Sequence, residues 1–295
     1  MQFDRSLDVP AGALVRLSPL VSRLLAPNPG PFTFKGTGVY IVGAGSCVAV
    51  IDPGPLLLGH IEALKRTIAP RQVSHILITH THRDHSPAAA ALKDWSGAKT
   101  YGLALGSREA PISAGEGTVD EAHDHDFVPD ITVHDGMRIG GDGFDLECVA
   151  TPGHTANHIC YALAQEKALF TGDHVMGWST SVIAPPDGDM GAYLASLEKL
   201  GARDDRIFYP THGSPVTNPK AWLGQLIAHR RMREDQILSA LADGAQTIVA
   251  LVEKLYPDIQ PALRPAAAQQ VLAHLGHLQA RGHAAPDAGL WRLTI

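Results

Sequence analysis

Four side chains of metal-ligand type are crowded into the hexapeptide HTHRDH. They are His80, His82, Asp84 and His85. The hexapeptide follows the apolar run VSHILIT and precedes an alanine-rich stretch, which predicts that it lies where a buried strand gives way to a helix. Residues i and i+2 of an extended segment point to the same side, so His80 and His82 can aim their imidazoles at one point. Asp84 and His85, where the chain turns into the helix, can aim at a second point beside it.

Imidazole and carboxylate groups are suitable zinc ligands, and four of them in six residues indicate two metal ions rather than one. Two ions need more ligands than this hexapeptide holds. Three further candidates each follow an apolar run and adjoin a glycine, which permits a tight turn. They are His154 in TPGHT, Asp173 in FTGDH and His212 in PTHGS. We therefore expect seven ligand-type residues to converge at strand ends, along one rim of the fold.

Strands and helices alternate in the part of the chain that must position these residues. From about Phe32, runs rich in β-branched and aromatic residues predict strands, and apolar residues three and four apart predict helices. Ser86 suits an N-cap and Pro87 the first helical position. This pattern predicts an α/β sandwich with functional residues at strand ends. The strand patterns cover residues 32–43, 47–54, 73–79, 131–136, 144–153, 158–173 and 206–213, and the helical patterns cover residues 56–69, 86–95 and 191–202.

Other polar side chains near these strands admit two interpretations. His123 and His125 lie in the polar stretch 106–130, which we interpret as a loop or lid. We expect both histidines to be solvated, with substrate contact as the alternative. His158 is expected to be a hydrogen-bonded strand histidine rather than a proton-transfer group. Residues 178–181 either line the cleft or form an ordinary polar turn.

The alternation of predicted strands and helices ends near Pro219. Three helices and a terminal β-hairpin follow, which are the parts of a winged helix, so we predict a first domain over residues 1–220 and a second over residues 221–295. The candidate recognition helix, residues 266–280, contains no lysine or arginine. Binding of duplex DNA depends on phosphate neutralisation by these residues, so we expect none.

A basic cluster on the preceding helix comprises Arg230, Arg231 and Arg233. Glu234 and Asp235 follow at once, so we interpret the cluster as a paired surface or an interface. We therefore expect the second domain to pack against the first, to form a dimer interface or to form a wall of the cleft. A homodimer is one possible partner arrangement.

Composition narrows the class of protein. The chain has 295 residues, 45% of them hydrophobic and 18% charged, which is ordinary for a globular protein with a real core. A net charge of −6 gives no bulk attraction to nucleic acid or to an anionic membrane. Three widely spaced cysteines do not indicate a disulfide framework, and no secretory signal or membrane-spanning run is recognisable. We expect a cytoplasmic protein without membrane contact.

The ordered set HTHRDH, PGHT, TGDH and THG resembles the metallo-β-lactamase superfamily. The resemblance implies an αββα sandwich and a dinuclear metal-dependent hydrolase. It also implies that Asp52, in VIDPG, steadies the histidines. The ligands would divide between two ions, with His80, His82 and His154 on the first, Asp84, His85 and His212 on the second, and Asp173 bridging both. Asp84 and Asp173 are the catalytic candidates, and Asp173 would orient a metal-bridging hydroxide.

The C-terminal part resembles the winged-helix extension of the lactamase-beta-2-like subgroup, which has endoribonuclease members. Zinc is the metal expected first, and the ligand set would also accept manganese or iron. Two enzyme functions follow from the resemblance: hydrolysis of a small ester, thioester or lactone, which the acidic balance favours, and cleavage of single-stranded RNA, which the winged helix favours. A metal-binding or scaffolding protein without catalysis is the alternative of another class. His85 stands where zinc β-lactamases carry cysteine, which disfavours antibiotic hydrolysis.

Overall fold

The first of two large β-sheets is built from the N-terminal half of the chain. The computed structural model describes residues 1–105 and 123–294, and this part of the chain forms the sheet from seven strands in sequence order. They are β1 (Leu14–Arg16), β2 (Val21–Leu25), β3 (Gly38–Val42), β4 (Cys47–Ile51), β5 (Gln72–Leu77), β6 (Lys99–Gly102) and β7 (Ile131–Thr132). Neighbouring strands are antiparallel as far as β4 and parallel from β4 onward. The ends of β4 and β5 therefore meet at the same edge of the sheet.

The second sheet follows in sequence. Its strands are β8 (Arg138–Gly140), β9 (Asp145–Ala150), β10 (Ile159–Leu163), β11 (Ala168–Gly172) and β12 (Ile207–Pro210). They lie in the order β12-β11-β10-β9-β8, and only the pair of β11 and β12 is parallel. A 3-10 turn at Ala164–Glu166 joins the antiparallel strands β10 and β11 and so divides the predicted strand pattern 158–173 into two strands.

The described part of the chain contains six α-helices, and the first four of them cover the outer faces of the two sheets. The six are α1 (Leu58–Ile68), α2 (Ala88–Ser96), α3 (Met190–Gly201), α4 (Pro219–Ala242), α5 (Ile248–Leu255) and α6 (Arg264–Ala280). Leu64 of α1 and Leu92 of α2 pack on the first sheet, and Leu197 of α3 and Leu223 of α4 pack on the second. The inner faces bury Tyr40, Tyr161, Phe170 and other side chains against each other. This is the αββα sandwich that the resemblance implied, and the prediction is confirmed.

The C-terminal region forms a second core of its own. The helices α5 and α6 pack with a terminal hairpin of β13 (Ala284–Asp287) and β14 (Leu290–Leu293). On α6, Leu275 and Leu278 are buried and Leu272 is half-buried against the same core. No helix in the described part of the chain is long and apolar enough to cross a membrane.

Helix α4 belongs to both cores. Leu223 and Leu226 in its first half pack with the second sheet, whereas Ile237 and Leu241 in its second half pack with α5 and α6. The predicted domain boundary at residue 220 falls at the start of this shared helix and stays a prediction.

Three predictions of local structure are wrong. Strands β1 and β2 precede the predicted start at Phe32. The strand predicted over residues 32–43 begins only at Gly38, because the chain turns through Phe34 and Gly36, both with positive φ. Ser86 does not cap α2, because its hydroxyl donates to Asp124 Oδ2 at 2.6 Å and α2 begins two residues later. Of the predicted loop 106–130, residues 106–122 lie outside the described residues.

Candidate metal centre

The hexapeptide follows the end of β5, beside the end of its parallel neighbour β4. The backbone turns tightly there, since the His85 N–H donates to the His82 carbonyl at 2.9 Å. His80 and His85 are buried and His82 and Asp84 are half-buried. The turn thus projects four ligand-type side chains into the interface between the two sheets.

The second sheet supplies the other three ligand-type residues from its strand ends. His154 follows β9, Asp173 follows β11 and His212 follows β12. All three are buried. The structure therefore brings together all seven residues that the sequence singled out.

A close backbone approach fixes the turn that carries His154. Gly153 has φ +141°, and a Cβ atom there would lie 2.3 Å from Tyr193 Cα on α3. The Gly153→Ala variant is therefore expected to lower the free energy of unfolding by about 2–4 kcal/mol, through backbone strain and overpacking. Gly276→Ala, on an exposed face of α6 with open space around it, is the matched control and should gain up to about 1 kcal/mol. Denaturant titration measures both, and equal effects would contradict the close approach.

Two groups of ligand atoms can be distinguished by distance. In the first, His80 Nε2 lies 2.9 Å and His154 Nε2 lies 3.2 Å from His82 Nδ1. In the second, Asp84 Oδ2 lies 3.0 Å from His212 Nε2 and 3.4 Å from His85 Nε2.

Asp173 lies between the two groups. Its Oδ1 is 3.4 Å from His212 Nε2 and 3.6 Å from His85 Nε2, and its Oδ2 is 3.9 Å from His154 Nε2. A third group of possible ligand atoms, from His80, His85 and Asp173, joins the other two. This is the arrangement expected of a carboxylate shared by two neighbouring ions.

Four of the ligand-type histidines are held through Nδ1, the ring nitrogen that faces away from the other ligand-type side chains. His154 Nδ1 lies 2.5 Å from the Val182 carbonyl oxygen, and His212 Nδ1 lies 3.1 Å from that of Gly36. Because a carbonyl only accepts, both Nδ1 atoms carry a proton, and each ring can present the lone pair of Nε2 to a metal once Nε2 itself carries no proton. His80 and His85 are held in the same way through Nδ1, by Thr79 Oγ1 at 3.1 Å and Asp52 Oδ2 at 2.9 Å.

Asp52 lies behind the centre and is fully buried. Its carboxylate accepts from the Thr79 N–H at 2.8 Å, from the Thr79 hydroxyl at 2.7 Å and from the Thr211 hydroxyl at 3.1 Å. Together with its contact to His85, these bonds join the edges of both sheets. The carboxylate thus steadies His85, in the way the resemblance implied.

The charges of the centre separate into two environments. Burial, together with the neighbouring imidazoles, holds the pKa of His80 and of His82 well below 6.5. Burial also opposes the charge on His212, but Asp173 and Asp84 raise the pKa of this residue to about 10. Burial raises the pKa of Asp173, yet the charges of His212 and His85 outweigh it and hold that pKa well below 3.8. The first group therefore consists of neutral imidazoles, whereas the second consists of charged histidine–aspartate pairs.

The donor set fits divalent metal ions. His85 Nε2 and Asp173 Oδ1 are buried and have no hydrogen-bond partner among the described residues. Unsatisfied buried polar atoms are costly, and a cation placed between them would satisfy both. Metal binding here would displace the protons that the charged pairs carry. The histidine and aspartate groups are consistent with a binuclear metal site.

Two further buried histidines lie against the centre. His158 Nδ1 lies 2.8 Å from Thr151 Oγ1, as the predicted hydrogen bond requires, although the residue lies just before β10 and not in it. Its ring centroid is 5.2 Å from that of His80. His174 packs on Tyr193, and burial lowers its pKa to about 3. Burial also holds the pKa of His158 well below 6.5. Both rings are neutral and add no charge to the centre.

The interpretation of His123 as a solvated loop residue is wrong. Its side chain is buried, its ring centroid lies 4.7 Å from that of His82, and its backbone bridges to His82. The Asp124 N–H donates to the Thr81 carbonyl at 2.7 Å, so this part of the loop is fastened beside the hexapeptide. His125 is exposed, as expected.

Of the two interpretations of the arginine cluster, a paired surface or an interface, the first is wrong for Arg230. This side chain is buried and donates to the Ser181 carbonyl at 2.5 Å. Arg231 is exposed and pairs with Glu198 at 3.2 Å, as a surface residue would. Sequence reasoning also missed the Val182 and Gly36 carbonyls, and no residue-type signal could have revealed them because every residue carries a carbonyl.

A two-sheet sandwich with histidine and aspartate ligands at its strand ends defines a metal-dependent hydrolase. A family model described as the metallo-beta-lactamase superfamily matches residues 33–212, and the beta-lactamase associated winged helix domain matches residues 247–291. The chain belongs to the metallo-beta-lactamase superfamily and carries a C-terminal winged helix.

Curated relatives cover most of the chain. A beta-lactamase-like protein 2 homolog of Caenorhabditis elegans is 33% identical, over 87% of this chain and 83% of the relative. An atrochrysone carboxyl ACP thioesterase of Paecilomyces divaricatus is 35% identical, over 77% of this chain and 66% of the relative.

Solved structures share the fold. A beta-lactamase domain protein from Burkholderia ambifaria superposes with a TM-score of 0.82 at 18% identity, covering 99% of this chain and 97% of that one. A metallo-beta-lactamase family protein from Thermus thermophilus gives 0.77 at 23% identity, covering 94% of this chain and 100% of that one. At these identities the likeness supports the architecture alone.

Proposed function

We propose that this chain hydrolyses a small thioester, or a related ester or lactone, with two divalent metal ions. The observation that carries the proposal is the position of Asp173, whose two carboxylate oxygens face both groups of histidines at 3.4–3.9 Å. Two ions in such a site would lower the pKa of a water molecule and polarise the carbonyl oxygen of the substrate. Zinc suits the nitrogen-rich donor set, and manganese or iron would also be accepted.

Asp52 and the ligand-type residues would have distinct roles in this site. Asp173 would keep the two ions at a fixed separation, and Asp52 would keep His85 aimed at the second ion. Asp84 would compensate the charge of the second group, beside His85 and His212. The first ion would be held by His80, His82 and His154, and the second by Asp84, His85 and His212.

Two observations favour a thioester over RNA. The relative named as a thioesterase is 35% identical to this chain. A cavity of about 500 Å³ beside the hexapeptide is lined by Leu56, Arg83, Pro87, Asp124, His125 and Asp126. RNA binding relies on lysine and arginine to neutralise phosphates, and this lining contributes one such residue, Arg83, beside two aspartates. The described residues of α6 have arginine only at its first position, Arg264, so we propose no duplex DNA partner.

The decisive experiment combines metal removal with a substrate panel. Purified protein is analysed for metals, stripped with a chelator and reloaded with zinc, manganese or iron. Each form is assayed on acyl thioesters, esters and lactones, and on labelled single-stranded RNA and duplex DNA. Stripping is expected to lower thioester hydrolysis by about 10³-fold, since bound metal contributes several kcal/mol to the transition state, and reloading should restore it.

Circular dichroism of the stripped protein is the control for folding. Full hydrolysis by folded protein with no more than one ion per chain would contradict the two-metal proposal. Metal-dependent cleavage of RNA without thioester hydrolysis would replace the proposed substrate class.

A further inference from the structure

Three consecutive residues behind the metal centre, Ser181, Val182 and Ile183, form a strip between the ligands and the C-terminal helices. The Ser181 hydroxyl donates to the Asp173 carbonyl at 2.5 Å. The Val182 carbonyl accepts from His154 Nδ1 at 2.5 Å. Two of the seven ligand-type residues are therefore fastened to this one strip.

Arg230 of α4 holds the first residue of the strip. Its guanidinium is 2% exposed, donates Nη2–H to the Ser181 carbonyl at 2.5 Å and lies over the Tyr193 ring at 5.2 Å. Its Nε has no hydrogen-bond partner among the described residues. Burial of a guanidinium with so few partners is costly, and an apolar side chain would fill this place more cheaply if packing were its only role.

Gln270 of α6 holds the last residue of the strip. Its Oε1 accepts from the Ile183 N–H at 2.5 Å. Its Nε2 is buried and has no hydrogen-bond partner in the described part of the chain. Within that part of the chain the Gln270 amide therefore acts through its acceptor oxygen. Arg230 and Gln270 therefore hydrogen-bond to the residues on either side of Val182, whose carbonyl orients His154.

We propose that Arg230 and Gln270 are positioning residues for the metal centre, which fix the Val182 carbonyl and through it the ring of His154. The inference rests on the proposed function in one respect: it takes His154 as a metal ligand. Groups that orient ligating histidines set metal affinity, and their loss typically lowers it by about 10- to 100-fold. Through these two contacts, helices α4 and α6 form the back wall of the metal centre.

The test measures metal affinity as well as activity. Gln270→Leu removes the acceptor at a half-buried position, and Gln270→Glu keeps it. Arg230→Met removes the donor. Leu275→Ala is the matched control, because it removes a fully buried side chain from the C-terminal core without touching the strip. Each full-length variant is loaded with zinc and titrated with a chromophoric chelator, and its free energy of unfolding is measured in parallel.

We expect Gln270→Leu and Arg230→Met to bind one of the two ions about 10- to 100-fold more weakly. Gln270→Glu should restore the affinity, and Leu275→Ala should lose stability but keep it. In a His154→Ala background, Gln270→Leu should have no further effect, because the residue it positions is gone.

Unchanged affinity in Gln270→Leu would overturn the inference while leaving the proposed function intact. Equal losses in Leu275→Ala and Gln270→Leu would also overturn it, since general destabilisation would then explain both. If Arg230→Met does not fold, the two Gln270 variants decide the question. An unmodified protein that binds no metal would refute the proposed function first, and the inference with it.

Discussion

Replacing Asp173 by alanine is expected to lower kcat by about 10³-fold or more and to leave at most one tightly held metal ion. The carboxylate lies within 3.6 Å of His212 Nε2 and His85 Nε2 through one oxygen. Its other oxygen lies 3.9 Å from His154 Nε2. Loss of this group would disturb both of the proposed ions together. Metal catalysis contributes several kcal/mol, and each ~1.4 kcal/mol is a factor of ten in rate.

Two variants separate the bridging role from general damage to the centre. Asp173→Asn keeps the shape of the side chain and removes its charge, so it should resemble Asp173→Ala in metal content. His154→Ala removes one ligand from the first group but leaves Asp84, His85 and His212 in place. It should retain one ion and a larger part of the activity.

Metal content by elemental analysis and kcat on the best thioester are measured for all three variants. Because Asp173 is buried among histidines, its removal also changes the charge balance of the metal-free protein, so unfolding curves are recorded with chelator present. An Asp173→Ala enzyme that retains both ions and most of its kcat would show that Asp173 does not bridge them.

The ligand side chains could be predicted from sequence because short-range geometry controls them. His80 and His82 are two residues apart on an extended segment, and the glycines beside His154, Asp173 and His212 mark turns at strand ends. The αββα sandwich was implied by the resemblance of the ordered motifs to the metallo-β-lactamase superfamily. Local chemistry of this kind needs no knowledge of distant contacts.

The residues that hold those ligands in place could not be predicted in the same way. His123 resembles a solvated loop histidine by composition, but its backbone is fastened to His82, far from it in the sequence. Arg230 looks like a surface arginine beside acidic residues, yet the packing of α4 on the second sheet buries it. Tertiary packing decides such positions, and no spacing rule within one segment reports it.

Deleting residues 221–295 is expected to leave an insoluble or unfolded chain, although the deletion spares all seven ligand-type residues. The cut falls at the start of α4, whose first half belongs to the core of the second sheet. Leu223 is 2% exposed and Leu226 is 1% exposed there, packed with Val149 and Leu169. Removing the helix would expose this apolar face to water.

The size of the effect follows from the usual cost of emptying a core. Truncation of one buried leucine to alanine costs about 2–5 kcal/mol, so the loss of Leu223 and Leu226 together approaches the whole stability of an ordinary domain, about 5–15 kcal/mol. The buried Arg230 contact to the Ser181 carbonyl would be lost as well.

A second truncation after Asp243 is the matched control, because it keeps α4 and removes only α5, α6 and the hairpin. It exposes Ile237 and Leu241 of the C-terminal core and removes Ala273 of α6, but it leaves Leu223 and Leu226 of α4 on the second sheet. We expect the longer fragment to be more soluble than the 1–220 fragment and to retain a cooperative unfolding transition, measured by soluble yield and by thermal denaturation. A 1–220 fragment that is soluble and unfolds within a few degrees of the full chain would contradict the shared core, and would show that the predicted boundary at residue 220 separates two independent domains.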